Sequence, residues 1–179
     1  MTLALQIRTA GVADTAAIQA MLHEAAQWVD ALGVVMWEAN ELTDERIANE
    51  VAAGQFVIAE CGGEPAGAMR FQTEDLLFWP DIPQEDSAFV HRLVASRRFK
   101  GQGVSTALLR WAADRAAALG KRHLRLDCDE SRPKLRALYE RFGFRVHSFR
   151  HVGPYYVARY EYALNAPDLA RSGLPDGTR

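Results

Sequence analysis

The stretch spanning residues 91–112 reads "HRLVASRRFKGQGVSTALLRWA". An imidazole, His91, stands in an apolar run. Arg97, Arg98 and Lys100 follow, and Gly101 and Gly103 then lead straight into a helical pattern. The first amides of a helix have no partner within it, and the aligned peptide dipoles leave that end partly positive, so such a turn is suited to an anion. Glycines let the backbone come close to a ligand. Each hydrogen bond from an amide to a charged acceptor contributes about 1.5–3 kcal/mol, so a few can hold a pyrophosphate. The basic side chains add complementary charge, screened where they are exposed. Two glycines at a helix entry also make an ordinary tight turn, and arginines also make a solvated surface. The fragment alone leaves both readings open. It has neither a GK[ST] ending nor a GxGxxG after a first strand, which disfavours a nucleotide loop.

Composition narrows the classes. With 179 residues, 49% of them hydrophobic, the chain can bury one good core. A net charge of −2 argues against a broadly basic nucleic-acid surface. The start carries no basic segment followed by an apolar one, and no apolar run approaches the roughly 20 residues that span a bilayer. Cys61 and Cys128 make neither a disulfide framework nor a CxxC metal pattern. The expectation is a reduced, cytoplasmic protein with no nucleic-acid or membrane partner.

The elements that must position these residues follow from periodicity and breakers. "LQIRTA" alternates as a strand. Asp14 would cap a helix whose stripe is Ala17, Met21, Ala25 and Trp28. Thr43 opens a second helix closed by Gly54, and "QFVIAE" and "PAGAMRFQ" form a hairpin around "CGGE". "TEDLLFWPDIPQED" reads as a loop and "SAFVHRLVA" as the next strand. A long helix runs over 103–119, "RHLRLDC" is a strand, and a helix with Pro133 in its first turn ends at Gly143. "FRVHSFRHV" and "YYVARYEYAL" close the pattern. The predicted order is β-α-α-β-β-β-α-β-α-β-β, an α/β fold with a mixed sheet and helices on both faces. Residues 1–164 are expected to form one domain, and 165–179 a disordered tail. The last two strands could pair across a homodimer.

The run "LVASRRFKGQGVSTALL", followed by "LRLDC" and "ALYERFGF", resembles the acetyl-CoA-binding core of the GNAT N-acyltransferase superfamily. The order of elements matches over residues 7–164, and the sharp motifs lie within 90–144. The family signature is an Arg or Gln, a Gly three residues on, and a Gly or Ala two further. Lys100, Gly103 and Ser105 fit it with "TALL" as anchor, whereas Arg98, Gly101 and Gly103 fit its letters two residues earlier. The resemblance implies acetyl-CoA as acyl donor. Its pyrophosphate would be wrapped by the amides of Gln102, Gly103, Val104, Ser105 and Thr106. Its pantetheine arm would pair with the backbone of Leu93, Val94 and Ala95 like an added strand. The thioester would lie where this strand splays from "HLRLD". Arg132 stands where many relatives carry an Asn before a Pro, so it either reaches a cofactor phosphate or is solvated.

The chemistry so implied is direct attack of an amine on a thioester, with proximity supplied by binding both partners. Tyr139 matches a tyrosine that protonates the departing thiolate, although an aromatic there also suits a helix core. His91 is the leading base, since an imidazole, with an unperturbed pKa of about 6.5, suits the task. Asp127, Asp129 and Glu38 compete with it. No metal is expected, because Asp127, Cys128, Asp129 and His123 lack metal-ligand spacing. In this fold class the acceptor is shaped by loops, here those carrying Trp37, Glu38, Trp79 and, beside the cleft, Asp127. Aromatic and acidic side chains suit a cationic amine, unless the tryptophans are core and the acids a solvated rim. The leading reading is acetylation of a small-molecule amine. A peptide acceptor and a non-catalytic coenzyme A sensor are the alternatives.

Overall fold

The computed structural model describes residues 4–31, 33, 37 and 41–164. The strands are β1 (Leu5–Thr9), β2 (Phe56–Cys61), β3 (Glu64–Gln72), β4 (Ser87–Ala95), β5 (His123–Asp129), β6 (Arg145–Val152) and β7 (Tyr155–Ala163). The helices are α1 (Thr15–Asp30), α2 (Asp44–Ala52), α3 (Val104–Ala118) and α4 (Pro133–Phe142). This is the order that periodicity and breakers predict, with 3₁₀ turns added at Val12–Asp14 and Arg97–Phe99. The strands hydrogen-bond as a seven-stranded sheet in the order β1-β2-β3-β4-β5-β7-β6. No helix among the described residues is long and apolar enough to cross a membrane. Glu38 and the tail expected beyond residue 164 lie outside the described residues.

Backbone contacts divide the chain into two compact units. One draws on the chain up to Phe71 and on His91–Leu109; the other draws on Gln72–Val90 and on the chain from Arg110. In the first, β2 pairs antiparallel with both β1 and β3, and the turn at Gly62 and Gly63 has the positive φ angles that "CGGE" predicts. Ile18, Met21, Leu22, Ile47 and Val51 of α1 and α2 pack with Phe56, Ile58, Ala68 and Val94 of the strands. Successive strand residues face opposite sides. Ala68 accordingly meets the α1/α2 core, while its neighbour Gly67 lies against Val104 and Leu108 of α3. Helices therefore cover both faces, as expected.

In the second unit, Ser87–Val90 of β4 runs parallel to His123–Leu126, β5 is antiparallel to β7, and β7 pairs antiparallel with β6. The sheet is mixed. Helix α4 begins with Pro133 and ends at Gly143, whose φ of 119° is the left-handed C-terminal cap expected of glycine.

Two local expectations fail on α1. Its buried face is Ile18, Met21, Leu22 and Val29, with Ala25 packed against the same core as expected, and this leaves Trp28, at the edge of the stripe, 42% exposed. Asp14 stands at the N-cap position without capping the helix. Its carboxylate accepts instead from the Gly11 amide at 2.7 Å and pairs with Arg8. Thr43, in contrast, caps α2 as expected, its hydroxyl accepting from the Arg46 amide.

Candidate active site

The part of strand β4 from His91 onward and the loop after it, all within the first unit, hold the backbone arrangement that the anion reading concerns. The Ser96 amide donates to the Ala66 carbonyl at 2.9 Å, which ties the end of β4 to β3. The chain then makes the 3₁₀ turn at Arg97–Phe99 and passes Gly101 (φ 75°) and Gly103 (φ 83°) into α3. At both glycines a Cβ would meet nothing within 4 Å, so the left-handed backbone, and not crowding, is what requires glycine there. The first intrahelical bond of α3 runs from the Ala107 amide to the Gly103 carbonyl at 2.9 Å. The amides of Gly103, Val104, Ser105 and Thr106 therefore precede the helix ladder, as the anion reading needs. Gln102 departs from it: its amide already donates to the Phe99 carbonyl at 3.2 Å. The Val104 side chain is buried, so only its amide is left to meet a ligand under that reading.

The positive charges are arranged less uniformly than the sequence implies. Arg98 is paired with Glu64, the first residue of β3, and is highly exposed, which weakens its claim on a phosphate. Arg97 and Lys100 lie over the Trp28 ring, at 5.8 and 6.0 Å from its centroid. On β4, His91, Leu93 and Ala95 are half-buried and Val94 is buried. Between His91 and Leu93 sits Arg92, buried and with a φ of 50°.

The second unit carries Tyr139, the residue that the resemblance offers as proton donor. Tyr139 of α4 is 5% exposed and packs against Phe144 and Tyr160. Burial, then the nearby Cys128 and Asp127, raise its pKa far above the ordinary phenol range, so the hydroxyl stays protonated. Burial likewise pushes the Cys128 thiol up to about 12, which leaves it a small hydrophobic group and not a nucleophile. Arg132, the N-cap residue of α4, is half-buried, and its charge opposes both shifts. Asp127 is half-buried on β5. Asp129 is committed elsewhere: one oxygen accepts from the Ser131 amide at 2.8 Å and from its hydroxyl at 2.5 Å, closing the turn before α4.

The acceptor-side aromatics are corrected by the fold. Trp79 is fully buried, with the Arg159 guanidinium 4.6 Å and that of Arg125 5.5 Å from its ring centroid and His147 at 5.3 Å. Arg159 also donates to the Phe78 carbonyl and pairs with Asp81, so the ring anchors its loop and presents no face to a substrate. Trp37 packs against the α1/α2 core.

Sequence reasoning missed Arg92 and its partner Glu50. The available signal was an arginine inside the otherwise apolar run "FVHRLVA", since a buried charge needs a partner.

Comparison with known proteins agrees with this geometry. Residues 22–144 match the model of the acetyltransferase (GNAT) family. The chain is 28% identical over 139 residues to a protein of Bacillus subtilis (strain 168) named as an uncharacterized N-acetyltransferase, YesJ, covering 73% of this chain and 76% of that one. A GNAT-family acetyltransferase structure from Listeria monocytogenes superposes with a TM-score of 0.72 at 23% identity, over 90% of this chain and 99% of that one. The acetyltransferase yncA of Salmonella typhimurium, solved with its cofactor acetyl-CoA, gives 0.69 at 18% identity, over 97% and 99%. With most of its length matched by the family model, this protein belongs to the acetyltransferase (GNAT) family and is an acyltransferase.

Proposed function

We propose that the protein moves an acetyl group from acetyl-CoA to the primary amine of a small molecule, by direct attack with both partners bound. The observation that carries this reading is the set of amides at Gly103, Val104, Ser105 and Thr106, which precede the helix ladder behind two left-handed glycines. They suit the pyrophosphate, and Lys100 lies at the same turn. The backbone of Leu93, Val94 and Ala95 pairs with the pantetheine arm, and an amide near Val94 receives the developing oxyanion. Arg132, at the start of α4, offers a further charge for a cofactor phosphate.

The proton balance follows from the side chains. The amine nitrogen bonds to the carbonyl carbon, the C–S bond breaks, and the nitrogen gives up a proton to His91, directly or through water. The sulfur takes a proton from Tyr139. The departing thiolate is the base that this proton neutralises as the C–S bond breaks. A phenol that remains protonated is a suitable donor to it. With Cys128 held as a thiol, no acyl-cysteine stage is required.

The test is calorimetry with acetyl-CoA, followed by thiol release across a panel of small amines and peptides. Binding with turnover of small amines supports the proposal. Turnover of peptides alone overturns the acceptor assignment, and absence of binding overturns the reading as a whole.

A further inference from the structure

Arg92 is the one non-glycine residue with positive φ among the described residues, and it sits inside a strand. Such a conformation persists only where its surroundings enforce it. Here they do. The Arg92 guanidinium is buried, ion-paired with Glu50 of α2, and donates to the Glu41 carbonyl at 2.7 Å. Glu50 is itself buried, and its other oxygen takes Arg46 at 3.3 Å and Arg70 at 3.2 Å. Strands β3 and β4 thus meet helix α2 at the Glu50 carboxylate, and the segment before that helix holds the Arg92 side chain, whose own backbone is reversed.

We infer that Arg92, clamped by Glu50 and the Glu41 carbonyl, is a positioning residue for acyl transfer: it holds β4 in a reversed turn that aims the Leu93 and Val94 backbone at the thioester. The inference rests on the acetyl-transfer reading for its kinetic readout. Left-handed backbone interrupts the regular alternation of a strand, so the peptide groups after Arg92 take a direction that an extended residue would not give them. A buried ion pair is otherwise a weak source of stability, which leaves conformational specificity as the reason to keep one.

Glycine and alanine separate this role from a plain structural ion pair. Glycine adopts a φ of 50° freely, whereas alanine resists it. In an ordinary strand position, glycine is the worse residue. Arg92→Gly, Arg92→Ala, Arg92→Lys and Glu50→Gln are compared for kcat and KM, for acetyl-CoA affinity by calorimetry, and for urea unfolding midpoint. The expected result is that Arg92→Ala loses about 100-fold in kcat and Arg92→Gly retains about tenfold more than it, with Arg92→Lys and Glu50→Gln in between. Acetyl-CoA affinity falls less than kcat, because the pyrophosphate loop is untouched. Alanine turning over as fast as glycine, or every variant staying within about twofold of the parent, overturns the inference. Should the parent turn over no amine, the acetyl-transfer reading fails separately and the unfolding midpoints decide. Glycine above alanine then supports an enforced reversal, and alanine above glycine overturns it.

Discussion

Gly67 of β3 and Val104 of α3 approach so closely that a Cβ on the glycine would stand 2.6 Å from Val104 Cγ1 and 2.8 Å from the Val94 carbonyl oxygen. The second contact is backbone, so the neighbour cannot rotate away. Gly67→Ala should therefore push the end of β4 and the first turn of α3 off their present positions. Overpacking of this kind costs about 1–3 kcal/mol, read as a lower urea midpoint. Acetyl-CoA affinity should fall as well, because Val94 and Val104 belong to the proposed donor site. Gly63→Ala is the control: it strains a positive φ but a Cβ there meets nothing within 4 Å, so affinity should hold.

Tyr139→Phe removes one hydroxyl and little volume. If that hydroxyl protonates the leaving thiolate, kcat should drop about 100-fold while acetyl-CoA affinity stays within about twofold. Donors with more acidic thiol leaving groups should be less affected, since they need the proton less. Equal losses for every donor would assign Tyr139 to packing against Phe144 and Tyr160 alone.

The parts of this molecule that local rules govern were legible in its sequence. Gly101 and Gly103 announce a helix entry because positive φ is a property of one residue, and Thr43, Pro133 and Gly143 mark helix ends for similar reasons. Tyr139 and the loop came from a motif whose spacing survives in a single chain. What stayed hidden depends on partners far along the chain. Arg92 meets Glu50 42 residues away, and Arg159 reaches the Phe78 carbonyl across 81. Periodicity assigns a face to a residue and says nothing of which residue lies opposite it. Trp28 and Trp79 exchanged their expected environments for this reason: one is an exposed ring beneath Arg97 and Lys100, the other a buried anchor.

Trp79 yields the third prediction. Because its ring is fully buried under Arg125 and Arg159, Trp79→Phe should lower stability by about 1–3 kcal/mol and leave KM for the acceptor amine unchanged. Thermal unfolding and steady-state kinetics check the two halves separately. A rise in KM without a loss of stability would return this side chain to the acceptor pocket.

Cys128 gives a pH-dependent prediction with a definite sign. Its folded pKa of about 12 lies above the unfolded value, near 8.5. The folded state therefore favours the neutral thiol, and this contribution to stability is complete below about pH 8.5 and is lost as pH rises towards about 12. At pH 8 only about one Cys128 in ten thousand is a thiolate, so a thiol reagent should label the half-buried Cys61 first in the native protein. Unfolding in urea should make both react. Cys128→Ala should keep kcat within about threefold of the parent and flatten the fall in stability between pH 9 and pH 11. Rapid native labelling of Cys128 at pH 7, or loss of turnover in Cys128→Ala with the fold intact, would reinstate a nucleophilic cysteine and displace direct transfer to the amine.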